Sequence, residues 1–233
     1  MKFQGLKLGK WFDIPKWCLE CHNHIAPDLQ SSSSFLCTSC YDSLPFTKDL
    51  LCEKCGLAHE TICCNTNWSN QINHFHTIFT YDEPVSNWIG KFKYSQSIME
   101  GRLLRSFVTQ WFQKNQELIH QFDLLLPVPM HSWNLFRRGF NQTDYLISSV
   151  QNMKINNRIL KKKHHTKHQA GLTRKKREKN LKGAFEINQN IEGKRILLFD
   201  DICTTGGTLR ELCKLLHKNK VQNIDILVLC RTI

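Results

Sequence analysis

The sequence predicts an α/β protein, a parallel sheet flanked by helices, preceded by a small cysteine-rich domain. Three observations predict it. From Phe75 onward, short apolar runs alternate with segments of helical periodicity. The run Arg195–Phe199 reads as a fully buried strand, with Asp200 and Asp201 at its end and a glycine-containing turn beyond. Eight of the eleven cysteines fall between Cys18 and Cys64. Strands interleaved with helices imply a parallel sheet covered on both faces. The composition changes near residue 70, so residues 1–70 are expected to form one domain and 71–233 the other.

Each element of the larger domain has its own signal. Ile78–Tyr81 is a short β-prone run. Val85–Trp111 carries Trp88, Ile89, Phe92, Ile98, Leu103, Leu104 and Phe107 at three- and four-residue steps, interrupted at Tyr94-Ser95, which predicts two helices. Asp123–Leu126 is a buried strand ended by Pro127 and Pro129. A helix is expected to begin near Asn141, a good N-cap residue, and to cover Tyr145–Val150. Ile155–Leu160 and Ala184–Ile187 are short strands. Arg195–Asp200, Gly207–Lys218 and Ile224–Leu229 complete a strand–helix–strand unit.

Bulk properties set limits. A chain of 233 residues has room for one α/β domain and a small appendage. Its hydrophobic fraction of 41% and charged fraction of 22% are those of a folded protein. No apolar run approaches the roughly 20 residues a transmembrane helix needs. Met1–Leu8 lacks the apolar core of a secretory signal, so a cytoplasmic location is expected. The net charge of +12 favours polyanionic ligands: nucleic acid, phosphorylated sugars or anionic lipid.

The strand-to-helix turn at Asp200–Thr208 is the most informative segment. Parallel sheets bind ligands at the carboxyl ends of their strands. Two carboxylates there, Asp200 and Asp201, can accept hydrogen bonds from a vicinal diol such as ribose O2 and O3. Thr204-Thr205-Gly206-Gly207-Thr208 supplies backbone N–H groups, three hydroxyls and two glycines that permit close approach. The helix that begins there adds about half a positive charge at its N-terminus, which suits a phosphate monoester. Carboxylates for a sugar and amides for its phosphate, a few residues apart, are what a ribose 5-phosphate requires. A plain strand–turn–helix would not need all nine positions to fit one ligand. G-x-x-x-x-G-K-[ST] and G-x-G-x-x-G are both missing, which excludes a Walker loop and a dinucleotide fingerprint.

The cysteines point to metal. Cys18-x-x-Cys21, fifteen residues, then Cys37-x-x-Cys40 is a four-thiolate zinc pattern, structural because four protein ligands leave no open position. Cys52-x-x-Cys55 followed by Cys63-Cys64 suggests a second ribbon, so one or two zinc ions are expected. Adjacent cysteines ligate one metal awkwardly, and His59 or His74 is a candidate to replace one sulfur. Cys213 and Cys230 read as buried apolar residues, and Cys203 as a small residue packed beneath the turn.

Several segments together resemble one family. The Asp200–Thr208 turn is similar to the ribosyl-phosphate signature of type I phosphoribosyltransferases. Pro127-Val128-Pro129 with Arg138-Gly139-Phe140-Asn141-Gln142, Thr166-x-x-Gln169-x-x-Leu172, Arg177-x-x-Asn180, Gly183-Ala184-Phe185, Tyr81–Pro84 and Lys93-Tyr94 resemble the ComF/GntX family over nearly the whole chain. The resemblance implies a type I phosphoribosyltransferase fold with an N-terminal zinc ribbon, a pocket for phosphoribosyl pyrophosphate with magnesium, and a role in natural transformation. The implied partners are incoming single-stranded DNA and DNA-uptake proteins at the cytoplasmic face of the inner membrane. Arg137, Arg138 and Gly139 would lie on the pyrophosphate side, where charge develops on the leaving group. Thr166, Gln169, Arg177 and Asn180 would belong to a lid. That stretch is strongly basic: residues 154–182 hold twelve Lys or Arg against Glu178 alone, which suits a lid over phosphates, an arm along nucleic acid, or a solvated run. Some transferases place a carboxylate at the position of Thr204, as general base towards the incoming nucleobase. A hydroxyl cannot serve so. The alternatives are therefore an active transferase of nucleotide metabolism with no DNA role, and a non-catalytic zinc-ribbon docking protein.

Overall fold

The computed structural model describes residues 16–25, 35–47, 52–57, 71–130, 139–163 and 181–232. The chain divides into two compact units, Met1–Leu44 and Pro45–Ile233.

In the first unit, β1 (Lys16–Trp17) and β2 (His24–Ile25) form an antiparallel pair. Between them the chain turns tightly: His22, at φ 58, donates its N–H to Cys18 O and Cys18 donates to Asn23 O. Helix α1 (Thr38–Asp42) starts directly after Cys37. Cys18, Leu36, Ile25 and Leu44 are the buried apolar residues of this unit.

The second unit is built on four parallel strands: β3 (Phe75–Thr80), β4 (Leu124–Pro127), β7 (Arg195–Cys203) and β8 (Asn223–Arg231), in the order β3-β8-β7-β4. Because side chains alternate along a strand, β7 sends Ile196 and Leu198 to one face and Leu197 and Phe199 to the other. On the first face they join Leu124, Leu126, Ile226 and Val228 under Leu209, Leu212, Cys213 and Leu216 of α6 (Gly207–Lys218). The other layer contains α2 (Val85–Tyr94), α3 (Ile98–Lys114), α4 (Gln116–Ile119) and α5 (Gln142–Ile147). There Phe79 of β3 meets Phe107 of α3 edge to face at 5.0 Å, and Trp88 of α2 stacks on Phe107 at 6.5 Å. Both faces are therefore covered, which is why all of β8 from Ile224 to Arg231 is buried.

One expectation needs correction in detail. Ile155 makes only an isolated bridge to Leu125, and the regular strand there is β5 (Leu160–Lys162). It pairs antiparallel with β6 (Phe185–Ile187), outside the parallel sheet. Asn156-Asn157-Arg158 is too polar to stay in the buried ladder, so pairing resumes at Leu160, opposite Ile187. The two compact units divide at Leu44/Pro45. Thr47 N–H binds Ile78 O and Phe75 N–H binds Glu53 O, so residues 45–47 and 52–57 belong with the sheet although cysteines mark the latter.

Candidate functional site

The site begins where β4 stops. Pro127 pairs with Phe199 as the last register position between β4 and β7, and Pro129 has no N–H to continue the ladder. β7 runs on along β8 as far as Cys203, opposite Arg231. Asp200, Asp201 and Ile202 thus have a neighbouring strand on one side and, among the described residues, no ladder partner on the other, the usual ligand position of a parallel sheet.

The pleat turns the two carboxylates to opposite faces. Asp201, on the side of α2 and α3, pairs with Lys93 at 2.7 Å, both side chains largely buried. Asp200 faces the α6 side and accepts the N–H of Asp201 at 2.9 Å. Burial, then the charge of Asp201, push the Asp200 carboxyl up to about 8, against the opposing pull of Lys93. Lys162 of β5 is half-buried near Asp200: burial lowers its pKa and the Asp200 charge opposes the shift. Its ammonium lies 5.6 Å over the Phe185 ring. Each carboxylate of the pair therefore has a lysine from a different layer in its surroundings.

The turn after β7 is held from below. Arg231 Nη1 donates to Cys203 O at 2.9 Å and also to Thr204 O, while Thr232 N–H donates to Cys203 O at 3.1 Å. Gly206 then takes φ 71, a left-handed conformation that glycine adopts without penalty, and serves as N-cap of α6. The first N–H groups of α6 have no acceptor within the helix and point out of its N-terminus. Thr204 and Thr205 are exposed beside them. Gly207 admits Leu181, whose Cδ1 would lie 3.3 Å from a Cβ at that position. Cys203 is buried, and burial pushes its thiol up to about 12, so it is not a nucleophile at neutral pH.

Of the residues on the expected pyrophosphate side, Gly139 is described. It takes φ +78, the left-handed conformation of a turn, and among the described residues nothing lies within 4 Å of a built Cβ. Asn141 Oδ1 accepts Thr143 N–H at 3.3 Å as N-cap of α5. Arg137, Arg138, Thr166, Gln169, Arg177 and Asn180 lie outside the described residues. Within the basic segment, Lys162 lies near Asp200 and Leu181 lies against Gly207.

The four thiols Cys18, Cys21, Cys37 and Cys40 converge, with all sulfurs within 4.8 Å of one another. A tetrahedral zinc at about 2.3 Å from each sulfur needs sulfurs about 3.8 Å apart; Cys21 and Cys37 are at 3.7 Å. Burial raises the pKa of Cys18, but N–H donation from Cys21, Cys37 and Glu20 brings it down to about 7, into thiolate range. This donor set fits zinc. In the second unit, Cys52–Leu57 forms a similar tight turn: Gly56 at φ 66 donates its N–H to Cys52 O, and Lys54 N–H approaches Cys52 Sγ at 3.4 Å. Cys63, Cys64 and His59 lie outside the described residues. His74 faces Asp225 at 3.3 Å and Glu53 at 3.9 Å.

Sequence reasoning did not single out Lys93, Lys162 or Arg231 as site residues. A charged residue ending the apolar run Ile226–Cys230 was a usable signal for Arg231, because that end of a parallel strand faces the ligand edge. Lys93 lay in a quoted segment, Lys93-Tyr94, but nothing in its spacing assigned it to Asp201.

Comparison with known proteins bears on the whole chain. Competence protein F of Haemophilus influenzae is 30% identical over 92% of this chain and 96% of its own length. The chain belongs to the competence protein F family. Within it, residues 148–233 match the phosphoribosyl transferase domain model. The DNA utilization protein YhgH of Escherichia coli K12 is 28% identical over 80% of this chain and 86% of that protein. Competence protein ComFC of Bacillus subtilis is 25% identical over 92% and 95%. A hypoxanthine phosphoribosyltransferase structure from Staphylococcus aureus aligns over 56% of this chain and 64% of its own, at 18% identity and a TM-score of 0.37. The domain match and the helix-flanked parallel sheet give a type I phosphoribosyltransferase fold, joined to a cysteine cluster that could hold zinc. Among the described residues no helix is long and apolar enough to cross a membrane.

Proposed function

We propose that this competence protein F relative binds phosphoribosyl pyrophosphate, or a related ribose phosphate, at Asp200–Thr208 and acts in the cytoplasm on single-stranded DNA taken up during natural transformation. The observation that carries the reading is the carboxylate pair at the open end of β7, followed within one turn by the Gly206 cap and the N-terminus of α6. The 5-phosphate would take the N–H groups of the turn and the hydroxyls of Thr204, Thr205 and Thr208. The ribose diol would reach the carboxylates at the strand end, from two sides of the strand because the pleat separates them. Magnesium fits the same end, where Asp200 and Asp201 offer hard oxygen ligands and the pyrophosphate offers the rest. It would neutralise charge on the departing pyrophosphate.

The basic segment completes the reading. Lys162 is near enough to Asp200 to feel its charge and Leu181 packs at Gly207, which supports a lid carrying Thr166, Gln169, Arg177 and Asn180 over the phosphates. Arg137 and Arg138 would meet the pyrophosphate. The surplus of positive charge suits a nucleic-acid backbone as well. Zinc would be held by Cys18, Cys21, Cys37 and Cys40, and a second ion by Cys52 and Cys55 with Cys63 or Cys64. The names of the relatives, competence and DNA utilization proteins, support a DNA role over base salvage. So does a hydroxyl at Thr204 in place of a general base.

A transformation assay tests the reading. In a Haemophilus influenzae strain lacking its own competence protein F and complemented with this chain, Asp200→Ala plus Asp201→Ala should lower transformant yield while leaving protein level unchanged. Full yield from the double variant, beside loss in Cys21→Ser, would leave the chain a zinc-dependent scaffold and overturn the pocket's role.

A further inference from the structure

We infer that Arg231 is a positioning residue for the phosphate turn, and that through it the Cys52–Leu57 turn and the phosphate turn are coupled. The inference rests on the phosphoribosyl reading of Asp200–Thr208. Arg231 ends β8 and is 4% exposed. Its guanidinium makes no ion pair with a carboxylate among the described residues; its partners are backbone carbonyls. Nη1 donates to Cys203 O at 2.9 Å and to Thr204 O, and Nε donates to Cys55 O at 3.3 Å. One rigid fork thus ties together two stretches of chain almost 150 residues apart, Cys55 and Cys203.

The consequence for ligand binding follows from peptide geometry. In a planar trans peptide, the N–H of one residue points opposite to the carbonyl of the residue before it. Holding Cys203 O and Thr204 O towards Arg231 therefore turns the N–H groups of Thr204 and Thr205 the other way, alongside the free N–H groups at the start of α6. The turn is set as an anion cradle before any anion arrives. A buried guanidinium whose acceptors are all neutral carbonyls also adds positive potential beneath that cradle.

The second arm reaches the cysteine turn. Phe75 lies under the Arg231 guanidinium, with 5.8 Å from its ring centre to Cζ. It packs so tightly on Gly56 that a Cβ there would sit 2.5 Å from its ring. Phe75 N–H is bonded to Glu53 O as well. A displacement of the Cys52–Leu57 turn, as when its thiols gain or lose a ligand, would therefore press on Phe75 and Arg231 and alter the phosphate turn.

Hydrogen exchange with ribose 5-phosphate as probe, on the full chain, tests this. In the wild type, the ligand should slow exchange at Thr204–Thr208 and also at Lys54–Leu57. Arg231→Met should weaken binding at least tenfold and lose the ligand effect at Lys54–Leu57. Arg231→Lys, which keeps the charge but not the fork, should recover part of the affinity and none of the coupling. If Arg231→Met does not fold, Arg231→Lys alone decides. Undiminished affinity with intact protection at Lys54–Leu57 in either folded variant overturns the inference. Ligand binding to the wild type with no change at Lys54–Leu57 overturns the coupling. Failure of the wild type to bind ribose 5-phosphate would instead overturn the phosphoribosyl reading itself.

Discussion

At the scale of single residues the site is governed by where charges are buried. Asp200 sits at a strand end among apolar neighbours, beside Asp201, and its carboxyl is pushed up to about 8. An unfolded aspartate titrates near about 3.9. Between these values the native state holds a proton that the unfolded state has released, so stability falls as pH rises from about 4 to about 8 and is level above. Asp200→Asn removes this titration. Its Tm relative to wild type should climb across that window, measured by thermal unfolding at stepped pH; a constant difference would mean the carboxyl is not perturbed. The residues legible in advance were those whose chemistry is local: Asp200 and Asp201 at a strand end, Asn141 before a helix. Lys93 and Lys162 were not, because each reaches the site along a long side chain from another element and nothing in its spacing names its carboxylate; Arg231 had only the signal of a charge that ends a buried strand.

Among the elements, the β7–turn–α6 unit places the ligand groups, and its turn depends on one backbone conformation. Gly206→Ala puts a Cβ at φ 71, which costs roughly 1–2 kcal/mol for an L residue. Chemical denaturation should show a loss of that order, with weaker ribose 5-phosphate binding because the cradle amides shift. Loss of stability without loss of binding would mean the turn does not hold the phosphate. The cysteine cluster makes a separate prediction. Cys21→Ser removes one of four ligands, so elemental analysis should find one zinc equivalent fewer per chain than in wild type, purified without chelator; equal content would refute that site. The buried strands and long helices were legible from periodicity, Gly207–Lys218 in full. Ile155–Leu160 was not, since a short mixed segment is placed by its partner, here β6, and not by its own pattern.

For the whole molecule, composition marks a cysteine-rich part and an α/β part, and the chain forms two compact units, Met1–Leu44 and Pro45–Ile233. Cysteines mark Cys52–Leu57 as ribbon-like, yet hydrogen bonds to β3 and to Arg231 make it part of the sheet unit. The net charge of +12 is likewise a whole-molecule property, and its test is salt dependence. If single-stranded DNA contacts about six phosphates, log K should fall against log salt with a slope of roughly −4; a slope near zero would exclude a backbone-tracking role. The central claim, that the turn after β7 grips a phosphoribosyl group, is tested most directly by titration calorimetry with phosphoribosyl pyrophosphate and magnesium. Saturable binding to the wild type that Asp200→Ala plus Asp201→Ala abolishes is the predicted result, and equal affinity in both proteins would contradict it.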